Sequence, residues 1–133
     1  MRRVPQRDYD NGDCGIACVA MISGQPYERV HSEALMLGLR NEDGEYFMRH
    51  GQIRNLLSVF GIETNLRKFV SMRQVEPMSI VAVNPKEGGY YWHWVVLSPS
   101  RSSTVLLDPK PGKPARIERF SGYRGVGMYV HAV

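Results

Sequence analysis

The spacing of the apolar residues changes near Gly61. Before this glycine they recur at the three- and four-residue intervals typical of helices, and after it they form short β-branched and aromatic runs typical of strands. The pattern predicts helices over Cys14 to Ser23 and in YERVHSEALMLG and HGQIRNLLSVFG, and strands in IETNLRKFV, SIVAVN, WHWVVLS, STVLLDP and GMYVHAV. Helices followed by strands indicate an α+β fold in which N-terminal helices pack on a C-terminal antiparallel sheet.

The first predicted helix differs from the other two because it is apolar on every side. A helix of this kind is typically buried at the centre of a domain, whereas a surface helix has one polar face. Between the last two strands lies KPGKPARIERFSGYRG, which predicts a loop rich in Gly, Pro and Arg with one helical turn.

Composition narrows the class of protein. The chain has 133 residues, of which 43% are hydrophobic and 23% charged, so we expect one domain over residues 1–133. The net charge of +4 comes from basic residues spread without a run or a helical stripe, and we therefore expect no nucleic-acid partner. Neither a signal peptide nor a membrane-spanning run is evident, which favours a cytoplasmic location.

The Cys and His residues give little support for cross-links or metals. Cys14 and Cys18 lie one helical turn apart, where a disulfide would be strained. His31, His50 and His131 have no spacing typical of a metal site. We therefore expect no disulfide, metal or cofactor.

Cys14 stands where the first helix begins, in DCGIACVAMI. The unpaired N–H groups and the positive dipole end of a helix stabilise a thiolate, so this position suits a nucleophile. Gly15 would leave room for a substrate backbone, and Asp13 would cap the helix. The alternative is that Cys14 is a small core residue, since free cysteines are commonly buried.

A base and an orienting group follow in the second half of the chain. His93 begins a strongly β-forming run, and Asp108 ends the next strand in LLDP. In an antiparallel hairpin, the start of one strand lies beside the end of the next, so Asp108 is expected near His93. A cysteine nucleophile requires such a base, and the base requires a group that orients it.

These motifs, in this order, resemble the bacteriocin-processing peptidases, papain-like cysteine peptidases that remove double-glycine leader peptides and often form the N-terminal domain of peptide-exporting ABC transporters. The nucleophile segment reads DCGIACVAMI, the histidine strand HWVVL and the end of the following strand LLDP, while HGQIRNLLSVFGIE and PMSIVAV resemble the family's middle segment and central strand. The resemblance covers nearly the whole chain and implies a papain-like cysteine peptidase fold.

The resemblance implies Cys14 as nucleophile, His93 as general base and acid, and Asp108 as the residue that orients the histidine. Relatives have a glutamine six residues before the cysteine that completes the oxyanion hole, but Asp8 occupies that position here. Gln6 lies two residues too early, so a bulge in DYDNG is needed to bring it in; Asn11 is the alternative. We prefer Gln6.

Three functions remain open. The first is a free-standing cysteine peptidase that cleaves an extended peptide or protein with small residues before the scissile bond, with a separate transporter or secretion system as a possible partner. The second is another acyl transfer, such as deamidation, isopeptide cleavage or amide formation, since a triad does not determine the acceptor. The third is a peptide-binding module that has lost the chemistry.

Overall fold

A computed structural model describes residues 1–101 and 103–133. These residues form three α-helices and five β-strands, together with short 3₁₀ turns at Tyr9–Asn11, Met72–Gln74 and Glu87–Gly89. The helices are α1 (Cys14–Ser23), α2 (Tyr27–Met36) and α3 (His50–Val59), and the strands are β1 (Thr64–Lys68), β2 (Ser79–Lys86), β3 (Tyr91–Pro99), β4 (Thr104–Leu107) and β5 (Gly125–Ala132). The predicted order of helices and strands is confirmed.

The strands form one antiparallel sheet in the order β1-β5-β2-β3-β4. Strands β2, β3 and β4 pair in sequence order, whereas β5 inserts between β1 and β2, so that the C-terminal strand lies inside the sheet. The helices pack on this sheet, and the predicted α+β class is therefore confirmed.

Apolar side chains cover both faces of the central strands. On one face, α1 packs against β3, and its residues from Cys14 to Ile22 are all buried. On the other face, Met72 and Val75 cover the sheet together with parts of the segment before β5. Burial on both faces explains why IVAV and WVVL are continuous apolar runs and not alternating ones.

The segment between β4 and β5 contradicts one prediction, because it contains no helical turn. Instead Ile117 forms an isolated antiparallel bridge with Leu106, in which the Leu106 N–H donates to the Ile117 carbonyl at 2.8 Å and the Ile117 N–H donates back at 3.0 Å. Pro111 and Pro114 disfavour a helix here, since proline lacks the N–H that a helix interior requires. Because β4 is the last strand of the sheet, its outer edge has backbone groups free to pair with this segment.

Each of the α-helices in the described ranges has ten residues, or about 15 Å of length. None of them is long and apolar enough to cross a membrane.

Candidate active site

Cys14 is the first residue of α1 and lines a cavity of about 660 Å³. Its residue surface is only 8% exposed, so the thiol is sheltered but borders the cavity. Cys18, one turn further along the helix, is completely buried, and burial raises the pKa of its thiol. Both are free thiols. Cys14 is therefore the thiol placed to meet a ligand.

Gly15 packs closely against Met48 and Ile53, a contact that the sequence did not indicate. A Cβ atom on Gly15 would lie 2.9 Å from Met48 Sδ and 3.0 Å from Ile53 Cδ1, closer than such contacts normally allow. The residue also lines the cavity, and a side chain at this position would force Met48 or Ile53 to shift. That Gly15 leaves room for a substrate backbone stays a prediction, and the packing against Met48 and Ile53 is a second reason for a glycine here.

The β3–β4 hairpin brings His93 and Asp108 into direct contact. The strands pair antiparallel with Val96 opposite Leu107, so the start of β3 lies beside the residue that follows β4. His93 Nε2 lies 2.7 Å from Asp108 Oδ1, and a carboxylate oxygen can only accept, so Nε2–H is the donor. The tautomer is thereby fixed, and Nδ1 is left as the nitrogen available to the Cys14 thiol.

Electrostatics favour a charged imidazolium at this position. Burial lowers the pKa of His93, but Asp108 and Cys14 outweigh it, through hydrogen bonds and negative charge, and raise the pKa to about 9. For Asp108, burial raises the pKa, but hydrogen bonds from His93, Tyr123 and the Lys110 N–H lower it to about 2. At neutral pH the pair is therefore an imidazolium beside a carboxylate.

Sequence reasoning missed Tyr123. Its hydroxyl donates to Asp108 Oδ2 at 2.7 Å, while the Lys110 N–H donates to Oδ1 at 2.9 Å. Both oxygens of Asp108 are thus fixed, and the carboxylate cannot rotate away from His93. Tyr123 lies fifteen residues after Asp108 in an irregular segment, and no local pattern in the sequence pointed to it.

Asp13 does not cap α1 with its side chain, contrary to the prediction. The carboxylate is fully buried and faces the N-terminal segment and α2 instead. It accepts four hydrogen bonds: from Gln6 Nε2 at 2.8 Å, the Arg7 N–H at 2.9 Å, the Asp8 N–H at 3.1 Å and the Tyr27 hydroxyl at 2.6 Å. These donors fold back onto the carboxylate, and the first N–H groups of α1 are left without a side-chain acceptor.

The structure brings both candidate amides to the cavity. The Tyr9–Asn11 turn, followed by Gly12 at a φ of 77°, takes up the extra residues, and Gln6 is buried beside Asp13. Asn11 also lines the cavity, where its Nδ2 donates to Asp8 Oδ1 at 2.9 Å. Asp8, at the position where the resemblance led us to expect glutamine, donates its N–H to Asp13.

Aromatic side chains form one wall of the cavity beside His93. Phe47 stacks on Tyr90 with ring centroids 5.6 Å apart and meets Tyr91 edge-on at 5.5 Å. Trp92 lines the cavity, while Trp94 is 2% exposed and donates its Nε1–H to the Met48 carbonyl at 2.9 Å. Both tryptophans that flank His93 border the cavity, but Trp94 is almost wholly buried and also belongs to the core.

Chemically, the site offers a thiol, an imidazole oriented by a carboxylate, and amide and backbone N–H donors around one cleft. This set suits acyl transfer through a thioester. A search among curated proteins gives no match. A family model, that of the Peptidase C39 family, matches residues 3–123. The chain therefore belongs to the Peptidase C39 family, the family of bacteriocin-processing double-glycine leader peptidases.

Proposed function

We propose that this chain is a cysteine peptidase that cleaves an extended peptide through a thioester intermediate. Cys14 is the nucleophile, His93 the general base and acid, and Asp108 the residue that orients His93. The observation that carries the proposal is His93 itself, which hydrogen-bonds Asp108 at 2.7 Å and has its pKa raised by Cys14 on the wall of the same cavity.

The reaction has two halves. In the first, Cys14 Sγ attacks the scissile carbonyl carbon, the C–N bond breaks, and the imidazolium of His93 gives its proton to the leaving amine. In the second, His93 takes a proton from water, the hydroxide attacks the thioester carbonyl, and Cys14 leaves as a thiolate with a free peptide carboxylate as product. In both halves a negative charge develops on the carbonyl oxygen.

Donors for that oxyanion are available at the start of α1 and beside it. The N–H of Cys14 belongs to the helix turn that has no side-chain cap, and the Gln6 amide lines the same cavity. We assign the oxyanion hole to these two groups, with Asn11 as the alternative to Gln6. The family resemblance further implies a substrate with two glycines before the scissile bond.

The first experiment uses a peptide that ends in Gly-Gly joined to an aminocoumarin leaving group, with the chain alone in solution. We expect Cys14→Ala to abolish fluorescence release, whereas Cys18→Ala, the matched cysteine control, should retain it. Full turnover by Cys14→Ala would overturn the assignment of the nucleophile. Turnover by the chain alone would also support the expectation that it acts free-standing.

A second experiment measures the thiol without any substrate. Brief treatment with dilute iodoacetamide, followed by intact-mass spectrometry, should label Cys14 once and rapidly, and the rapid labelling should persist to acidic pH and be lost in His93→Ala. Slow labelling with the pH profile of an ordinary thiol would favour the binding module. Adding a peptide amine at millimolar concentration tests the remaining alternative, because a dominant transfer product would indicate a transferase.

A further inference from the structure

The carboxylate of Asp13 is the most deeply buried acidic group beside the cleft. It is 0% exposed and lies directly before Cys14. Taking a carboxylate out of water is costly unless hydrogen bonds replace its hydration, and here four donors do so. The carboxylate does not cap α1, so these four donors account for all the hydrogen bonds it accepts among the described residues.

One of those four donors is the Gln6 amide. Gln6 Nε2 lies 2.8 Å from Asp13 Oδ1, and the backbone N–H of Gln6 donates to the Pro109 carbonyl at 2.8 Å. An amide nitrogen carries two hydrogens, so fixing one of them on Asp13 also fixes the direction of the other. The backbone of Gln6 is thereby held next to Asp108, and its side chain next to Cys14.

The observed orientation of the Gln6 amide leaves its oxygen without a hydrogen bond. Its Oε1 is buried and finds no partner among the described residues, which costs on the order of 1–3 kcal/mol. A half-turn of the amide would not relieve that oxygen, because it would place Oε1 against the Asp13 carboxylate, and two acceptors repel each other.

We propose that Asp13 is a positioning residue for the oxyanion hole: it orients the Gln6 amide so that the second N–H meets the negative oxygen formed when Cys14 attacks. This inference rests on the proposed function. Tyr27 holds the other oxygen of Asp13 at 2.6 Å and so keeps the carboxylate from turning. A carboxylate suits this task because it can only accept, whereas an asparagine could turn its own donor towards Gln6.

The competing explanation is that Asp13 only anchors the N-terminal segment through the Arg7 and Asp8 N–H groups. The two explanations predict different losses when Asp13 is replaced. An anchor would disturb all properties of the site, whereas a positioning residue affects only steps that form an oxyanion. Alkylation by iodoacetamide forms none, because the thiolate displaces iodide at a saturated carbon.

The experiment compares Asp13→Asn, Gln6→Ala and the double variant with Asp43→Asn, an exposed carboxylate outside the cleft, as the control. With the Gly-Gly aminocoumarin substrate, we expect kcat to fall about a hundredfold in Gln6→Ala and on the order of tenfold in Asp13→Asn. KM should stay unchanged, and the iodoacetamide labelling rate of Cys14 should not fall, because loss of the Asp13 charge beside Cys14 does not disfavour a thiolate. The double variant should match Gln6→Ala, because Asp13 acts through Gln6.

Two results would overturn the inference. One is an unchanged kcat in Asp13→Asn, and the other is a double variant whose loss equals the product of the two single losses. If Asp13→Asn does not fold, Tyr27→Phe serves instead: it removes one donor and should lower kcat severalfold at an unchanged labelling rate, and a normal kcat would refute the inference. Failure of the proposed function would appear separately, as turnover by Cys14→Ala.

Discussion

Replacing Asp108 by asparagine removes one negative charge from the candidate triad while preserving its shape. Asp108 Oδ1 accepts from both His93 Nε2 and the Lys110 N–H, so the carbonyl oxygen of the introduced amide must take that position to satisfy both donors. The new NH₂ group then faces the Tyr123 hydroxyl, which can accept as well as donate. The orientation of the His93 ring, with Nε2–H donating to this oxygen, is therefore expected to survive in Asp108→Asn.

The loss of this negative charge should lower the pKa of His93. Its pKa is raised from 6.5 to about 9 although burial opposes the rise. That rise corresponds to roughly 3 kcal/mol in favour of the imidazolium, and the His93 side chain is only 22% exposed, so solvent screens the interaction little. Without the charge of Asp108, only Cys14 and the weaker hydrogen bond to the amide oxygen oppose the effect of burial, so the pKa of His93 should fall from about 9 towards its ordinary value of 6.5.

The assay is the pH profile of kcat/KM with the Gly-Gly aminocoumarin substrate. The imidazolium donates the proton to the leaving amine, so the rate falls as the pH rises through the pKa of His93 in the free enzyme. The alkaline limb should lie near pH 9 in the wild type and move down by roughly one to two units in Asp108→Asn. Asp108→Ala, which lacks the oxygen for Nε2, should be less active than Asp108→Asn at every pH.

The result that would refute this reasoning is an alkaline limb that stays near pH 9 in Asp108→Asn. The limb would then report a group other than His93. Equal activity of the alanine and asparagine variants would contradict a different step, namely that Lys110 fixes the orientation of the amide.

Three further predictions concern residues around the site. Tyr123→Phe removes a donor from Asp108 and should lower kcat severalfold at an unchanged KM; an unchanged kcat would mean that Lys110 alone suffices. Gly15→Ala places a methyl group against Met48 and should lower the free energy of unfolding in urea by about 1–3 kcal/mol, whereas wild-type stability would mean that Met48 moves aside. Cys18→Ala should cost about 1 kcal/mol of stability and leave kcat unaffected, which a turnover assay beside urea unfolding would check.

Local patterns predicted the regular elements well. The helix predicted over Cys14 to Ser23 is observed with those bounds, because its apolar run and the Gly24 that ends it are signals within a few residues. The bridge between Ile117 and Leu106 was missed because nothing in the loop sequence specifies its partner. A pairing of that kind depends on which strand edge remains open after the sheet has formed.

In the candidate site, too, local patterns predicted some residues and missed contacts that depend on distant parts of the chain. Cys14 begins a helix, and Asp108 ends a strand in a two-strand hairpin, so a local pattern indicated each of them. The partners of Asp13 could not be predicted in this way. A residue that looks like an N-cap in sequence accepts instead from Gln6 and from Tyr27, fourteen residues away, because burial of the carboxylate requires donors wherever the fold supplies them.

The N-terminal segment joins the two halves of the site. Cys14 lies on α1 and the His93–Asp108 pair on the β3–β4 hairpin, and α1 packs directly against β3. The N-terminal segment provides a second connection between them. Arg3 donates to the carbonyls of Asp108 and Lys110, each at 2.6 Å, and Gln6 binds Pro109 through its backbone and Asp13 through its side chain. These contacts connect the segment that leads into Cys14 with the loop that follows Asp108, so they also hold the Cys14 thiol relative to His93, which explains why an irregular segment of this chain is buried at Gln6.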